Sequence, residues 1–201
     1  DIAFEAIANS QALLRAERLL LNTMQRMSGI ATLTHTYVEK IKNYSTTILD
    51  TRKTTPLFRA FEKEAVLLGG AKNHRMGLYD MIMLKDNHID YCGGIEKAIA
   101  AANAYLKEQQ LQLPIEVETR SLDDVKRVVK VGGVQRIMLD NFTPDRLRGA
   151  IRKINGRFIT EASGGITEKT LRAYGETGVD YISVGALTHQ VKSLDLSLKA
   201  K

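Results

Sequence analysis

Short apolar runs recur along the chain at residues 46–49, 81–84, 115–117, 136–139, 158–162 and 181–184, each too brief to be a helix. Between them, at 57–68, 95–109, 122–131, 144–154 and 167–177, the apolar positions recur every three or four residues, as on amphipathic helices. Strand then helix, repeated, predicts an α/β chain built on a parallel sheet. From Val117 to Met138, to Thr160 and to Ser183 the steps are 21, 22 and 23 residues. That near-constant period predicts a TIM-like parallel βα barrel, incomplete or seven-stranded. An open doubly wound sheet is the alternative, weakened because no GxGxxG follows any strand.

The first quarter of the chain breaks this rhythm. Residues 2–7 predict a short strand with no partner nearby, the remnant of another module. Ser10 then caps a helical stretch striped by Leu13, Leu14, Leu20, Leu21 and Met24, and a second helical pattern runs on to about Lys42. The expected organisation is a remnant strand over 1–10, a barrel domain over 11–190 and a C-terminal segment over 191–201.

Composition narrows the classes. The 201 residues are 44% hydrophobic and 26% charged, which suits one large core and excludes a disulfide-stapled miniprotein or a disordered chain. The net charge of +6 invites a nucleic-acid reading, but residues 1–100 carry 13 basic and 11 acidic groups and residues 101–201 carry 16 and 12. No arm concentrates the excess, so nucleic acid is not an expected partner. The longest run free of Asp, Glu, Lys and Arg, 27–38, is too short to span a membrane, and none is expected as a partner. The lone Cys92 suits a reducing cytoplasm, with structural filling as its expected role.

In a parallel barrel the C-terminal strand ends open on one face, where the chemistry of the fold gathers. Here those ends carry Asp50, Thr51, Arg52 and Lys53, then Lys85, then Glu118, then Asp140 and Asn141, then Ser163, Gly164 and Gly165, then Gly185. The 73–88 segment adds His74 and Arg75. Cations converging on one enclosed face call for a multiply anionic ligand. The paired glycine turns at 162–167 and 183–189 fit a phosphate site, with helix N-termini expected to add their dipoles. Glu118 and Asp140 among such cations suit a divalent metal, a ribose or a developing positive charge. Glu116 shares the strand parity of Glu118, so either could face the site. Four scattered histidines and one cysteine give no zinc spacing, so the expected metal is Mg²⁺ carried by substrate phosphates.

Seven collinear motifs, ERLLLN (17–22), QRMSGIAT (25–32), DTRKTT (50–55), NHRMGLYDMIMLKDNH (73–88), IMLDN (137–141), EASGGIT (161–167) and ISVGALTH (182–189), together resemble the nicotinate-nucleotide pyrophosphorylase, or quinolinate phosphoribosyltransferase, family. The resemblance implies transfer of phosphoribosyl from phosphoribosyl pyrophosphate to quinolinate with loss of CO₂, giving nicotinate mononucleotide and pyrophosphate for NAD synthesis. It implies quinolinate binding by Arg52, His74, Arg75 and Lys85, with Arg18 reaching in from another subunit of a homodimer or higher oligomer. It further implies Lys53 at phosphoribosyl pyrophosphate, Glu118 and Asp140 at the ribose and Mg²⁺, and Ser163, Gly164, Gly165 and Gly185 at the 5′-phosphate. Lys85, Glu118 and Asp140 are then the expected catalytic residues. The family's N-terminal α/β sandwich is represented only by the expected strand near residues 2–8, with 191–201 returning toward it. The family's GGG reads Gly69, Gly70, Ala71 here. Competing readings are a phosphoribosyltransferase acting on nicotinate or another aglycone, a Schiff-base aldolase using Lys85, and a non-catalytic metabolite-binding fragment. The number of cations favours a diacid over the first, and the aldolase leaves the arginines idle.

Overall fold

The computed structural model describes residues 2–200. Six parallel strands, β1 (Thr47–Leu49), β2 (Ile82–Leu84), β3 (Ile115–Thr119), β4 (Arg136–Asp140), β5 (Ile159–Ser163) and β6 (Tyr181–Ser183), form one sheet in the order β1-β6-β5-β4-β3-β2. The first strand thus pairs with the last, Thr47 opposite Tyr181, while β2 pairs only with β3. β1 and β2 are the two edges, so the barrel is incomplete, with a seam between them. Into that seam runs the segment after Ala71, held to β1 by a parallel bridge between Leu49 and Lys72.

The helices are α1 (Ser10–Ile41), α2 (Arg59–Leu68), α3 (Asp86–Tyr91), α4 (Ile95–Glu108), α5 (Leu122–Val131), α6 (Pro144–Ile154), α7 (Leu171–Gly175) and α8 (Ala186–His189). Two start where the sequence signals them: Ser121 and Thr143 accept from the backbone N–H three residues on, and Pro144 opens α6. The core lies between sheet and helices, where Ile48, Val117, Ile137, Leu139, Ala162 and Ile182 meet Val66, Ile99, Val125, Leu147 and Leu171, all essentially excluded from water. Each buried aliphatic side chain contributes roughly 1.5–3 kcal/mol.

Four expectations are corrected. Residues 2–7 form no strand, and Ile7 is fully exposed. The two N-terminal helical stretches are one 32-residue helix, capped by Asn9, whose side chain accepts from Gln11 and Ala12 N–H, and not by Ser10. Gly29 lies inside that helix because the Lys192 carbonyl sits where a Cβ would be, 2.2 Å away. Cys92 is an exposed free thiol and fills nothing. Residues 191–200 run beside α1 without helix or strand, the Leu194 N–H donating to the Gln25 carbonyl at 3.1 Å. The 1–10 and 191–201 segments each include a residue, Asp1 or Lys201, outside the described range. No helix among the described residues is long and apolar enough to cross a membrane.

Candidate active site

The strand ends open into one cavity of about 1090 Å³. Its wall includes Arg52 and Lys53 after β1, His74 and Arg75 from the seam, Lys85 after β2, Glu118 from β3 and Asp140 from β4. Ser163, Gly164 and Gly165 after β5 and Gly185 after β6 complete it. Every expected site residue except Arg18 therefore lines a single space. Arg18 is exposed on the first half of α1 and is not part of that wall.

The cations are held by backbone and by one buried ion pair. Lys63 on α2 and Asp50 at the end of β1 are both fully buried, with Nζ and Oδ1 2.5 Å apart. The same Oδ1 accepts the His74 N–H at 2.7 Å, and Lys63 donates to the His74 carbonyl at 3.0 Å. Burial pushes the Asp50 carboxyl up and the Lys63 amine down, each opposed by the other's charge. Arg75 donates to the Met81 carbonyl at 3.1 Å, and burial followed by the nearby Arg52 lowers its pKa. Arg52 Nε is buried with no hydrogen-bond partner. Two guanidiniums that repel each other, one with an orphaned donor, make a receptor for a bidentate anion.

Across the cavity, Glu118 and Asp140 are half-buried, and burial raises both carboxyls. The charge of Asp140 adds to the rise in Glu118, and that of Asp86 to both. Asn141 braces the set by donating to Asp140 Oδ2 at 2.6 Å. It adopts a left-handed φ of 56° while its own N–H donates to the Ser163 carbonyl at 2.8 Å. Acids that mutually disfavour ionisation beside cations are an oxygen donor set suited to a divalent cation or to a cationic ribose.

The glycines let the loops after β4 and β5 meet. Gly164 has a φ of 95°, and a Cβ there would stand 2.2 Å from Asn141 Oδ1 and 2.9 Å from its backbone N. Only glycine lets the two loops approach this closely. The expected helix N-terminus is missing at the first of the two turns, since α7 begins at Leu171, six residues past Gly165, whereas α8 starts directly after Gly185 but is only four residues long.

Sequence parity left Glu116 and Glu118 open, and they prove to occupy different layers. Glu118 lines the cavity, whereas Glu116 is fully buried and lies outside its wall; Glu161, also buried, reaches the wall from β5. His74 Nε2 is 3.0 Å from Glu116 and 3.3 Å from Glu161, and the Arg136 guanidinium is 2.9 Å from Glu161. Ligand atoms of His74, Glu116 and Glu161 lie within 4.8 Å of one another, as in a metal site, but Arg136 already supplies the counter-charge there. The Arg75 N–H donates to His74 Nδ1 at 2.7 Å, while Nε2 stands within ion-pair distance of both carboxylates but makes no hydrogen bond to them. His74 and Glu161 both contribute to the wall.

Sequence reasoning missed His189 and Arg26, which with Lys53, Thr54 and Thr55 line an adjoining recess of about 660 Å³. Arg26 bridges three segments, donating to Glu62 Oε1 at 2.8 and 3.0 Å and to the Thr188 carbonyl. Thr188 in turn donates to the Lys53 carbonyl at 2.7 Å. The arginine of QRMSGIAT was the available signal.

A parallel, incomplete βα barrel whose strand ends set cations against paired carboxylates and glycine turns has the charge pattern of a pocket for small anionic molecules. Residues 30–199 match the family described as quinolinate phosphoribosyl transferase, C-terminal domain, and the chain belongs to that family. It is 49% identical to quinolinate phosphoribosyltransferase [decarboxylating] 2, mitochondrial, of Nicotiana glauca, over 95% of this chain and 58% of that protein. It is 45% identical to the probable nicotinate-nucleotide pyrophosphorylase [carboxylating] of Bacillus subtilis, over 98% of this chain and 67% of that one. The crystal structure of NadC from Streptococcus pyogenes superposes with a TM-score of 0.89 at 44% identity, covering 96% of this chain and 66% of the other. The chain thus spans 58% of the length of its Nicotiana glauca relative.

Proposed function

We propose that the protein transfers phosphoribosyl from phosphoribosyl pyrophosphate to quinolinate, with decarboxylation, giving nicotinate mononucleotide, pyrophosphate and CO₂. The observation that carries this reading is the single cavity with Arg52, Arg75 and Lys85 in its wall, facing Glu118 and Asp140. Two carboxylates of the pyridine fit the cations, and the donor's 5′-phosphate fits the Ser163, Gly164, Gly165 and Gly185 amides. Lys53, in the same wall, then meets the pyrophosphate of the donor.

In this mechanism pyrophosphate departs from C1 of the ribose, and the carboxylates of Glu118 and Asp140 stabilise the oxocarbenium charge that develops. The pyridine nitrogen attacks C1, held in line by Arg52, Arg75 and Lys85. N-ribosylation makes the ring cationic. The adjacent carboxylate then leaves as CO₂, its bonding pair staying on the ring carbon until a proton is taken up. Glu118 and Asp140 would hold a Mg²⁺ ion, directly or through its waters, and that ion supplies charge neutralisation for the phosphates. The exposed free Cys92 favours a reducing, cytoplasmic compartment for this chemistry.

Arg18 enters from the second subunit of a homodimer or higher homo-oligomer in this reading. Its helix presents Leu14 and Leu19, both more than 70% exposed, on a stretch that buries little against its own barrel. Mixing an Arg18→Ala chain with a Lys85→Ala chain tests the arrangement. Recovered activity in the mixture supports sites shared across subunits, and none counts against them.

The reaction is tested by incubating the protein with phosphoribosyl pyrophosphate, Mg²⁺ and either quinolinate or nicotinate while following CO₂ and mononucleotide. Quinolinate turnover with stoichiometric CO₂ is expected. Turnover of nicotinate alone overturns the reading in favour of a single-carboxylate acceptor.

A further inference from the structure

The loop that carries the first two cations has no regular structure of its own. Residues 50–58 form neither helix nor strand, and Arg52 and Lys53 stand on this stretch in the cavity wall. A lysine on bare loop backbone is placed only as well as that backbone is held. What holds it lies behind the wall, where α1, α2 and the turn after β6 converge.

Glu62, in the first turn of α2, is fully excluded from water. Its Oε1 accepts from Arg26 Nε at 3.0 Å, from a terminal Arg26 nitrogen at 2.8 Å and from the Thr55 hydroxyl at 2.8 Å. Its Oε2 accepts the Thr55 N–H at 3.1 Å. Both oxygens of a buried carboxylate are thus satisfied, at a helix start where Phe58 supplies no side-chain cap. The same terminal nitrogen of Arg26 also donates to the Thr188 carbonyl. Thr188, fully buried as well, carries the restraint onward: its hydroxyl donates to the Lys53 carbonyl at 2.7 Å and lies 3.3 Å from the Gly185 carbonyl. A Cβ on Gly185 would stand 3.1 Å from Lys53 Cδ, so the lysine stem runs along the glycine turn. One arginine therefore joins α1, α2, the loop after β1 and the turn after β6.

The neighbouring cation is held separately. Arg59 donates to Thr54 Oγ1 at 3.0 Å, to the Met76 carbonyl at 3.1 Å and to the Arg52 carbonyl at 3.5 Å. The backbone of Arg52 is tied to the seam, and that of Lys53 to α1 and β6.

We propose that Arg26 and Glu62 are positioning residues for the phosphoribosyl pyrophosphate side of the cavity: through Thr188 they fix Lys53 against the Gly185 turn. This rests on the placement of the donor in the function proposed above. An ammonium is a point charge on a flexible stem, and holding the start of that stem lowers the ordering cost of binding a phosphate. The planar fork of Arg26 reaches Glu62 and Thr188 at once, which the single nitrogen of a lysine does not.

Calorimetric binding of phosphoribosyl pyrophosphate with Mg²⁺, and of quinolinate alone, tests the proposal. Glu62→Gln is the decisive variant, because it leaves the Arg26 charge in place while setting an amide nitrogen or a lost acceptor against Thr55. Its Kd for phosphoribosyl pyrophosphate should rise on the order of tenfold, the weight of one charge-assisted contact, with quinolinate changing less than about twofold. Arg26 also lines the recess beside Lys53. Were it a direct contact to the donor, freeing it from Glu62 would leave that affinity unchanged or tighten it, which overturns the proposal. A merely structural ion pair would lower the melting temperature and leave both affinities intact, or weaken both alike, and either result overturns it too. Thr188→Val keeps the shape and both charges but removes the hydroxyl link, and it decides the matter if Glu62→Gln does not fold. The same selective loss is expected there, and an unchanged Kd for phosphoribosyl pyrophosphate overturns the proposal. Arg26→Lys combined with Glu62→Gln should cost no more than the larger single loss, whereas additive losses count against one shared clamp. An unsubstituted protein that binds phosphoribosyl pyrophosphate but not quinolinate sinks the diacid acceptor, and the donor affinities of the variants still decide the clamp. One that binds no phosphoribosyl pyrophosphate overturns the clamp and the donor placement together.

Discussion

The two halves of the sheet solve opposite problems. From β3 to β6 every strand is paired on both sides, and each of α5 and α6 follows its strand after a short turn. From β1 to β2 the chain leaves its edges unpaired with each other and fills the gap with loop backbone pinned by Asp50, Lys63 and His74. The regular half contributes carboxylates and the anion loop, and the seam contributes most of the cations. Hydrogen bonding along strands suffices to place Glu118 and Asp140. Placing Arg52 and Arg75, which repel each other, takes a buried ion pair and a histidine strut.

The largest effect expected from breaking this contrast is at Asp50. Asp50→Ala leaves Lys63 buried and uncompensated, so chemical denaturation should show a loss of about 3–5 kcal/mol. In the regular half, Leu139→Ala removes a fully buried aliphatic side chain and should cost about 2–5 kcal/mol by the same measurement, through a cavity and not a charge. Gly164→Ala drives a methyl group into Asn141. It should lower the melting temperature by several degrees and weaken phosphoribosyl pyrophosphate binding more than quinolinate binding. Lys85→Ala separates function from folding: the side chain is exposed, so stability should change by less than about 0.5 kcal/mol while kcat/KM falls on the order of 100-fold. The smallest effect is at Arg148, which pairs with exposed Asp145; Arg148→Ala should leave both activity and stability within about 0.5 kcal/mol of the original.

The same contrast explains what could be read without coordinates. The regular half was legible because local signals agreed: α5 and α6 have the bounds their caps and apolar spacing predict. The cations of the seam were legible as residues but not as an arrangement, because nothing local reports that Lys63, inside an amphipathic helix, turns inward to Asp50. Glu116 and Glu118 could not be told apart because strand parity separates faces and not depths within a barrel. α1 read as two helices because Gly29 and its polar neighbours interrupt the stripe, whereas the backbone of residue 192 requires that glycine from outside the helix. The helices α3 and α8, six and four residues long, fall below the length at which periodicity carries information. His189, on the second of these, was missed as a site residue for the same reason.

The pairing of β1 with β6 has a bearing on how the chain is made. Strands β3 to β6 can be added one after another as the ribosome delivers them, each finding a neighbour that already exists. β1, though first to emerge, has no strand to join until Tyr181–Ser183 arrives some 130 residues later. During that interval Ile48 and Leu49, destined for complete burial, are without their sheet partner. Closure of so long a loop places the slow event of folding after β6 has been made. The pocket residues that hang on β1, Arg52 and Lys53 among them, are then the last to be set.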